Sequence, residues 1–185
     1  MKKHIMPLMG LLFLLLVSAC SPVRVLNTEA AQGFNLNQYK TFGFMDADSI
    51  SQDIPAEHIA FLQREVANQL QKRGLTLANS NADLLVNLGV VVQEKTQTRQ
   101  TDIRSDPPNY VGQRRYTWRT REVEVGKYKE GTISVHLVDR AQNALVWSSE
   151  AEAVVPKKNE KVQERIAEGV EKLFSSIPAS NTMTN

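Results

Sequence analysis

Cysteine occurs once in the 185 residues, at position 20. A single thiol excludes any disulfide within the chain, so the fold has to stand on an apolar core. Histidine is scarce too: His4, His58 and His136 are the three. Neither His58 nor His136 has a His or Cys near it at metal-ligand spacing, so no metal site is expected and His136 is read as a residue on a sheet face. No G-x-S-x-G stands at a strand-to-helix elbow, and Gly126 and Gly131 are too far apart and precede a strand rather than a helix. A serine-hydrolase elbow and a phosphate-cradling loop are therefore both missing, and no cofactor is called for. Long apolar runs are absent after residue 17, because charge interrupts every later one, so no later segment is expected to span a bilayer.

What is present begins at the N-terminus. Met1-Lys2-Lys3-His4 is basic, Ile5 to Val17 is almost wholly apolar, and Ser18 and Ala19 are small. A basic start, a short apolar run and small residues before a cut make a secretory signal, here residues 1–19. The run falls short of the roughly 20 residues of a membrane-spanning helix. Val17-Ser18-Ala19-Cys20 resembles the lipobox of bacterial lipoproteins. The resemblance implies cleavage between Ala19 and Cys20, a thioether from Cys20 to diacylglycerol, and acylation (such as palmitate) of the new amine. One acyl chain holds marginally at roughly 0.8 kcal/mol per methylene, whereas two or three hold firmly. Ser21, where an Asp would retain such a protein at the inner membrane, implies the outer membrane, facing the periplasm. The leader also carries Lys2 and Lys3; without them the 22 basic residues fall to 20, against 20 acidic ones. The expected mature chain is near neutral and gives no overall charge signal for nucleic acid.

Residues 20–34 read as a lipidated N-terminus and polar tether, 35–178 as one domain, and 179–185 as a frayed tail. Tyr39–Phe44 alternates like a strand. A helix is expected over about Ile54–Arg73, capped by Asp53, with Ile59, Leu62, Val66 and Leu70 on one face and a stop at Gly74. Asp83–Val92 reads as a central strand that runs on toward Gln97. Arg115–Val125, Thr132–Val138 and Ala144–Val155 read as three further strands, with turns at 126–131 and 139–143 and with Leu145 and Trp147 on one face. A second helix is expected over about Glu160–Ser176, with Val162, Ile166, Val170, Leu173, Phe174 and Ile177 on one face and Pro178 ending it. The order β-α-β-β-β-β-α predicts an α+β two-layer sandwich: a largely antiparallel sheet of about five strands, both helices on one face, and a parallel crossover around the first helix.

Five segments together resemble the bacterial lipoprotein family known as domain of unknown function 4136. They are Tyr39–Phe44, Lys72-Arg73-Gly74-Leu75, Ala82–Val86, Gly131–Asp139 and Leu145–Ser149. The likeness extends over roughly 34–178 and departs mildly at Phe44, where the family often has Trp. It implies a lipid-anchored envelope domain and supplies no activity or site residues.

Two features remain as candidate chemistry. From Lys95 to Arg121 the chain holds Lys95, Arg99, Arg104, Arg114, Arg115, Arg119 and Arg121 against Asp102 and Asp106, interleaved with Tyr110, Tyr116 and Trp118. Arg114, Arg115, Trp118, Arg119 and Arg121 are the candidate patch for an anionic lipid, a glycan or an acidic protein partner; the plain alternative is a hairpin with a wet, arginine-bearing face. Asp83 and Asp139 flank strands, where aspartates serve turns, but would be the acid pair of a hydrolase if folding joined them. The expected function is a non-catalytic, lipid-anchored cell-envelope protein that binds a partner or supports envelope assembly. The alternatives are an envelope hydrolase and a lipid- or glycan-binding module, the last calling for an apolar pocket of about 300 Å³ or more.

Overall fold

The computed structural model of the chain describes residues 22–45, 54–102, 104–107 and 119–177. Strand β1 is Val23–Ala30, and a 3₁₀ turn at Leu36–Gln38 leads to β2, Thr41–Phe44. Helix α1, Ala56–Gln71, follows, then β3 (Thr76–Leu77) and β4 (Leu84–Gln100). The chain continues as β5 (Glu122–Asp139), β6 (Ala144–Val154) and helix α2 (Asn159–Phe174). The six strands form one sheet in the order β1-β6-β5-β4-β2-β3. β2 runs parallel to β3 and β4, and the remaining pairs are antiparallel. This is the expected α+β architecture with its parallel crossover around α1.

One face of the sheet is covered by both helices. Leu62, Val66 and Leu70 of α1 and Ile166, Val170, Leu173 and Phe174 of α2 are buried at the expected helical spacing. They meet the alternate sheet residues Phe42, Leu84, Val86, Leu88, Val135, Leu137 and Trp147. Trp147 and Phe174 stack with ring centroids 5.3 Å apart. Burying side chains of this size contributes roughly 1.5–3 kcal/mol each, so this layer holds the fold without a crosslink. α1 starts after Pro55, which has no side-chain capping bond; Asp53 lies outside the described residues, as does Pro178. The first helix stops as expected: Gly74 has φ +90°, and Leu75 N donates to Leu70 O at 3.2 Å. Arg73 then reaches across to the end of α2. Its guanidinium donates to Phe174 O at 2.7 Å and Ile177 O at 3.1 Å, and to Gln69 O and Oε1 at 3.0 and 2.8 Å. One fork thus adds donors to carbonyls at and just beyond the end of α2, where Phe174 O also accepts from Ile177 N at 3.0 Å.

Four expectations are corrected. The stretch read as a tether contains β1, one of two strands (with β3) that the sequence did not mark; with two of the expected strands merged into β5, the sheet has six. Only Val23 of β1 is buried, and the strand is held by its ladder to β6 and not by apolar alternation, so no period-2 signal existed to read. Lys172 Nζ also donates to Val23 O at 2.9 Å and ties the strand's first residue to α2. Of the two strands expected at 115–125 and 132–138, residues 115–118 lie outside the described residues, and from Glu122 onward the two are one strand with no turn at 126–131. Gly126 marks a bulge, since Gln97 faces Gly126 while Thr98 faces Glu124. Gly131 allows close approach, because a Cβ there would lie 3.1 Å from Val155 Cγ2. Leu145 and Trp147 do not share a face: Leu145 is 50% exposed and Trp147 is 2% exposed. The register slips between Leu137 and Val138, so Val146 and Trp147 are both buried. Finally, β3 is a two-residue strand that propensity did not mark.

β6 ends at Val154, opposite Glu130, and past that row β4 and β5 continue alone as a two-stranded arm, with Glu94–Gln100 paired to Glu122–Lys129. The β4 half of that arm is exposed throughout.

Candidate functional site

Cys20 and Ala19 lie outside the described residues, as do Arg114, Arg115 and Trp118 of the candidate basic patch. Arg119 and Arg121 are described and exposed at the base of the loop that closes the arm, where Arg121 N donates to Thr101 Oγ1 at 2.9 Å. Along the arm itself, basic residues are matched by acids. Arg99 forks onto both carboxylate oxygens of Asp106 at 2.6 Å, Lys95 meets Glu130 at 3.3 Å, and Lys127 meets Glu94 at 2.8 Å. The Arg99 fork, helped by the Ser105 hydroxyl and the Asp102 N–H, holds the Asp106 carboxyl well below the usual carboxylate range. Glu122 and Glu124 on the arm and Glu130 at its root lie past Arg121, outside the segment that looked basic. Among the described residues the arm is mixed in sign.

The two aspartates come to the same end of the sheet, since Asp83 precedes Leu84, which faces Asp139. Each has a structural task. Asp83 Oδ2 accepts from Lys40 N at 3.0 Å and Thr41 N at 2.9 Å, while Asp83 N donates to Thr41 Oγ1 at 2.9 Å. These bonds lock the start of β2 to β4 and hold the Asp83 carboxyl below its ordinary pKa, the Lys40 and Thr41 N–H groups being the largest causes. Asp139 accepts from Tyr39 Oη at 3.0 Å and from Gln142 N at 2.9 Å, which closes the β5–β6 turn where Asn143 takes φ +48°. Burial first, then the Asp139 carboxylate, push the Tyr39 phenol above its usual pKa. His58 bonds Asn159, whose amide donates to Glu57 at 2.9 Å, so it staples the first turns of the two helices together. His136 sits in β5 between Asn87 and Ser148, on the face away from the helices. Among the described residues no group of three His, Cys, Asp or Glu is placed to hold a metal ion. No described helix is long and apolar enough to cross a membrane.

The feature the sequence did not reveal is an open cleft of about 580 Å³ at the end of β1. Its wall is Thr28, Ala30 and Trp147; its rim is Phe34, Asn35, Leu36 and Asn37; its far side is Ser176 and Ile177. The 3₁₀ turn is set by the Asn35 side chain, which accepts from Asn37 N at 3.0 Å. Behind the wall, Ser149 donates to Asn27 O at 3.1 Å and lies 2.7 Å from Thr28 Oγ1. Among the described lining residues none is titratable; they offer an apolar wall with hydroxyls and amides, which suits an apolar or amphipathic group. Its lining comes from four separate segments. Only Asn35 spaced two residues from Asn37 hinted at a fixed turn.

No curated protein matches the chain. Among solved structures the fold resembles part of a PDZ domain protein from Parabacteroides distasonis, with TM-score 0.51 and 14% identity. That match covers 86% of this chain, which spans 36% of the length of the other. The fold also resembles PelC from Paraburkholderia phytofirmans, described as a dodecamer, with TM-score 0.51 and 13% identity over 86% of this chain and 99% of that one. At such identities the likeness concerns the fold. The sequence matches the family described as "Domain of unknown function (DUF4136)" over residues 26–179, and the chain belongs to that family.

Proposed function

We propose that this protein is a lipid-anchored, non-catalytic component of the bacterial cell envelope, a binding or assembly module held at the outer membrane and facing the periplasm. The observation that carries the reading is the tetrapeptide Val17-Ser18-Ala19-Cys20 after a basic and apolar leader, followed directly by a domain whose first strand starts at Val23. A free thiol so close to an exported fold would be a liability, and acylation removes it. Binding is favoured over hydrolysis by two features. Asp83 and Asp139 are engaged in holding turns and strand ends, and the described residues of the cleft include no acid or base. The cleft supports a ligand with an apolar portion, such as a lipid or a lipid-linked glycan.

The test is mass spectrometry of the N-terminal peptide of protein extracted from native membranes, coupled to crosslinking and co-purification. The expected product begins at an acylated Cys20 and brings one or a few envelope proteins with it. A bare thiol, or a leader still attached, would sink the reading. PelC shares the fold and is described as a dodecamer, so the native mass in detergent belongs in the same experiment.

A further inference from the structure

We infer that the two-stranded arm lies along the bilayer surface, forced there by the shortness of the link between Cys20 and β1. The inference rests on the proposed lipidation of Cys20 and adds an orientation and a contact surface to it. Val23 faces Ala153, Ala153 faces Gly131, and Gly131 faces Val92, so these residues form one row across the sheet. From that row β1 runs toward Ala30, which faces Trp147, itself opposite Leu137. The arm leaves the same row in the opposite direction. The chain therefore reaches Val23 from the side on which the arm projects.

Lengths then decide the orientation. From Cys20 to Val23 the backbone reaches at most about 11 Å. Gln93–Gln100 extends about 26 Å past the row, and Gly131–Asp139 extends a similar distance behind it. Val23 is not free to swing away, because it is buried, laddered to β6 and bonded to Lys172. With the arm pointing away from the bilayer, the body would hold Val23 more than 20 Å above the surface, about twice the reach of the link. With the arm pointing straight down, its tip would enter the hydrocarbon, since a headgroup layer is only roughly 5–8 Å thick. Glu94, Lys95, Arg99, Glu122, Glu124 and Lys127 exclude that. The remaining geometry rests the arm on the headgroups with the strands rising from its tip by up to about 25°, which lifts the 139–143 end roughly 20 Å clear of the surface. Mixed charge suits a zwitterionic and ionic surface. Val92, Val125 and Val154, exposed at this end, suit its shallow apolar layer.

The test uses the full-length lipidated protein in vesicles of phosphatidylethanolamine and phosphatidylglycerol carrying a headgroup nitroxide. An environment-sensitive fluorophore is placed on Thr96→Cys in the arm or on Ala141→Cys at the opposite end. Acylation of Cys20 leaves the introduced thiol as the one to label. The arm label is expected to lose most of its emission and the far label to keep it. Inserting a Gly/Ser linker of about 20 residues after Ser21, with a reach of roughly 25 Å, should restore the arm label's emission. Quenching that persists with the long linker would overturn the tether as its cause. A bright arm label on protein whose N-terminal peptide carries the lipid overturns this inference alone, and that outcome includes an arm crosslinked to a second copy. A bare Cys20 overturns the lipidation reading and this one with it.

Discussion

Arg73 is the residue on which the two helices' ends depend. Replacing it with Ala removes the fork that serves Phe174 O and Ile177 O and should lower the unfolding free energy by about 2 kcal/mol in urea titrations. Arg73→Lys should recover only part, because an ammonium cannot bond both carbonyls and Gln69 in one plane. Gly74→Ala should lower it by about 1–2 kcal/mol through its positive φ. Asp83 and Tyr39 predict opposite pH dependences. The Asp83 carboxyl is depressed below its ordinary 3.8, so its contribution is present above that value and fades as pH falls through the lower folded-state pKa. The Tyr39 phenol is raised above its ordinary 10.0, so its contribution is present below that value and fades as pH rises through the higher folded-state pKa. Thermal melts across pH should show Asp83→Asn flattening the acid limb and Tyr39→Phe flattening the alkaline one. An unchanged acid limb in Asp83→Asn would mean the Lys40 and Thr41 bonds matter little in solution.

At the scale of elements, the arm and the core behave differently. The arm contributes almost nothing to the apolar layer, and a lone two-stranded ribbon is marginal in water. Replacing Glu94–Lys129 by an Asn-Gly turn should leave the melting temperature of the remaining body nearly unchanged. A large loss would show that the arm supports the core. Phe174→Ala, by contrast, should cost about 3–5 kcal/mol, because it empties a fully buried position against Trp147. Both helices were legible in the sequence because their apolar residues recur at three and four. β4 was legible because it is apolar, and Gly74 because a helix end needs φ above zero. β1 was not, since an edge strand with one buried side chain is specified by backbone pairing. Nor was the continuity of β5, where glycines at a bulge and at a close approach imitate a turn.

For the whole molecule, the segments that carry the family likeness turn out to be neighbours with structural tasks. Tyr39 meets Asp139, Thr41 meets Asp83, Gly43 lies against Ala78 O and Ala82, and Trp147 packs on Phe174. These segments supply a scaffold, and through Trp147 they also supply one wall of the cleft. The cleft was illegible beforehand because its lining comes from four segments that only folding joins. If it takes an apolar ligand, Ala30→Trp should abolish co-purification of bound lipid, measured by native mass spectrometry, with little loss of stability. Retention of the lipid would place the ligand somewhere else.

The tie between Lys172 and the first residue of β1 has a mechanical side. A pull directed along the axis of β1 from its first residue runs at right angles to the hydrogen bonds that join β1 to β6. Those bonds then resist sliding together instead of parting one by one like a zipper, and the lysine clamps the point where the strain arrives. A fold gripped in this way should withstand tugging on its leading strand better than tugging on its last helix.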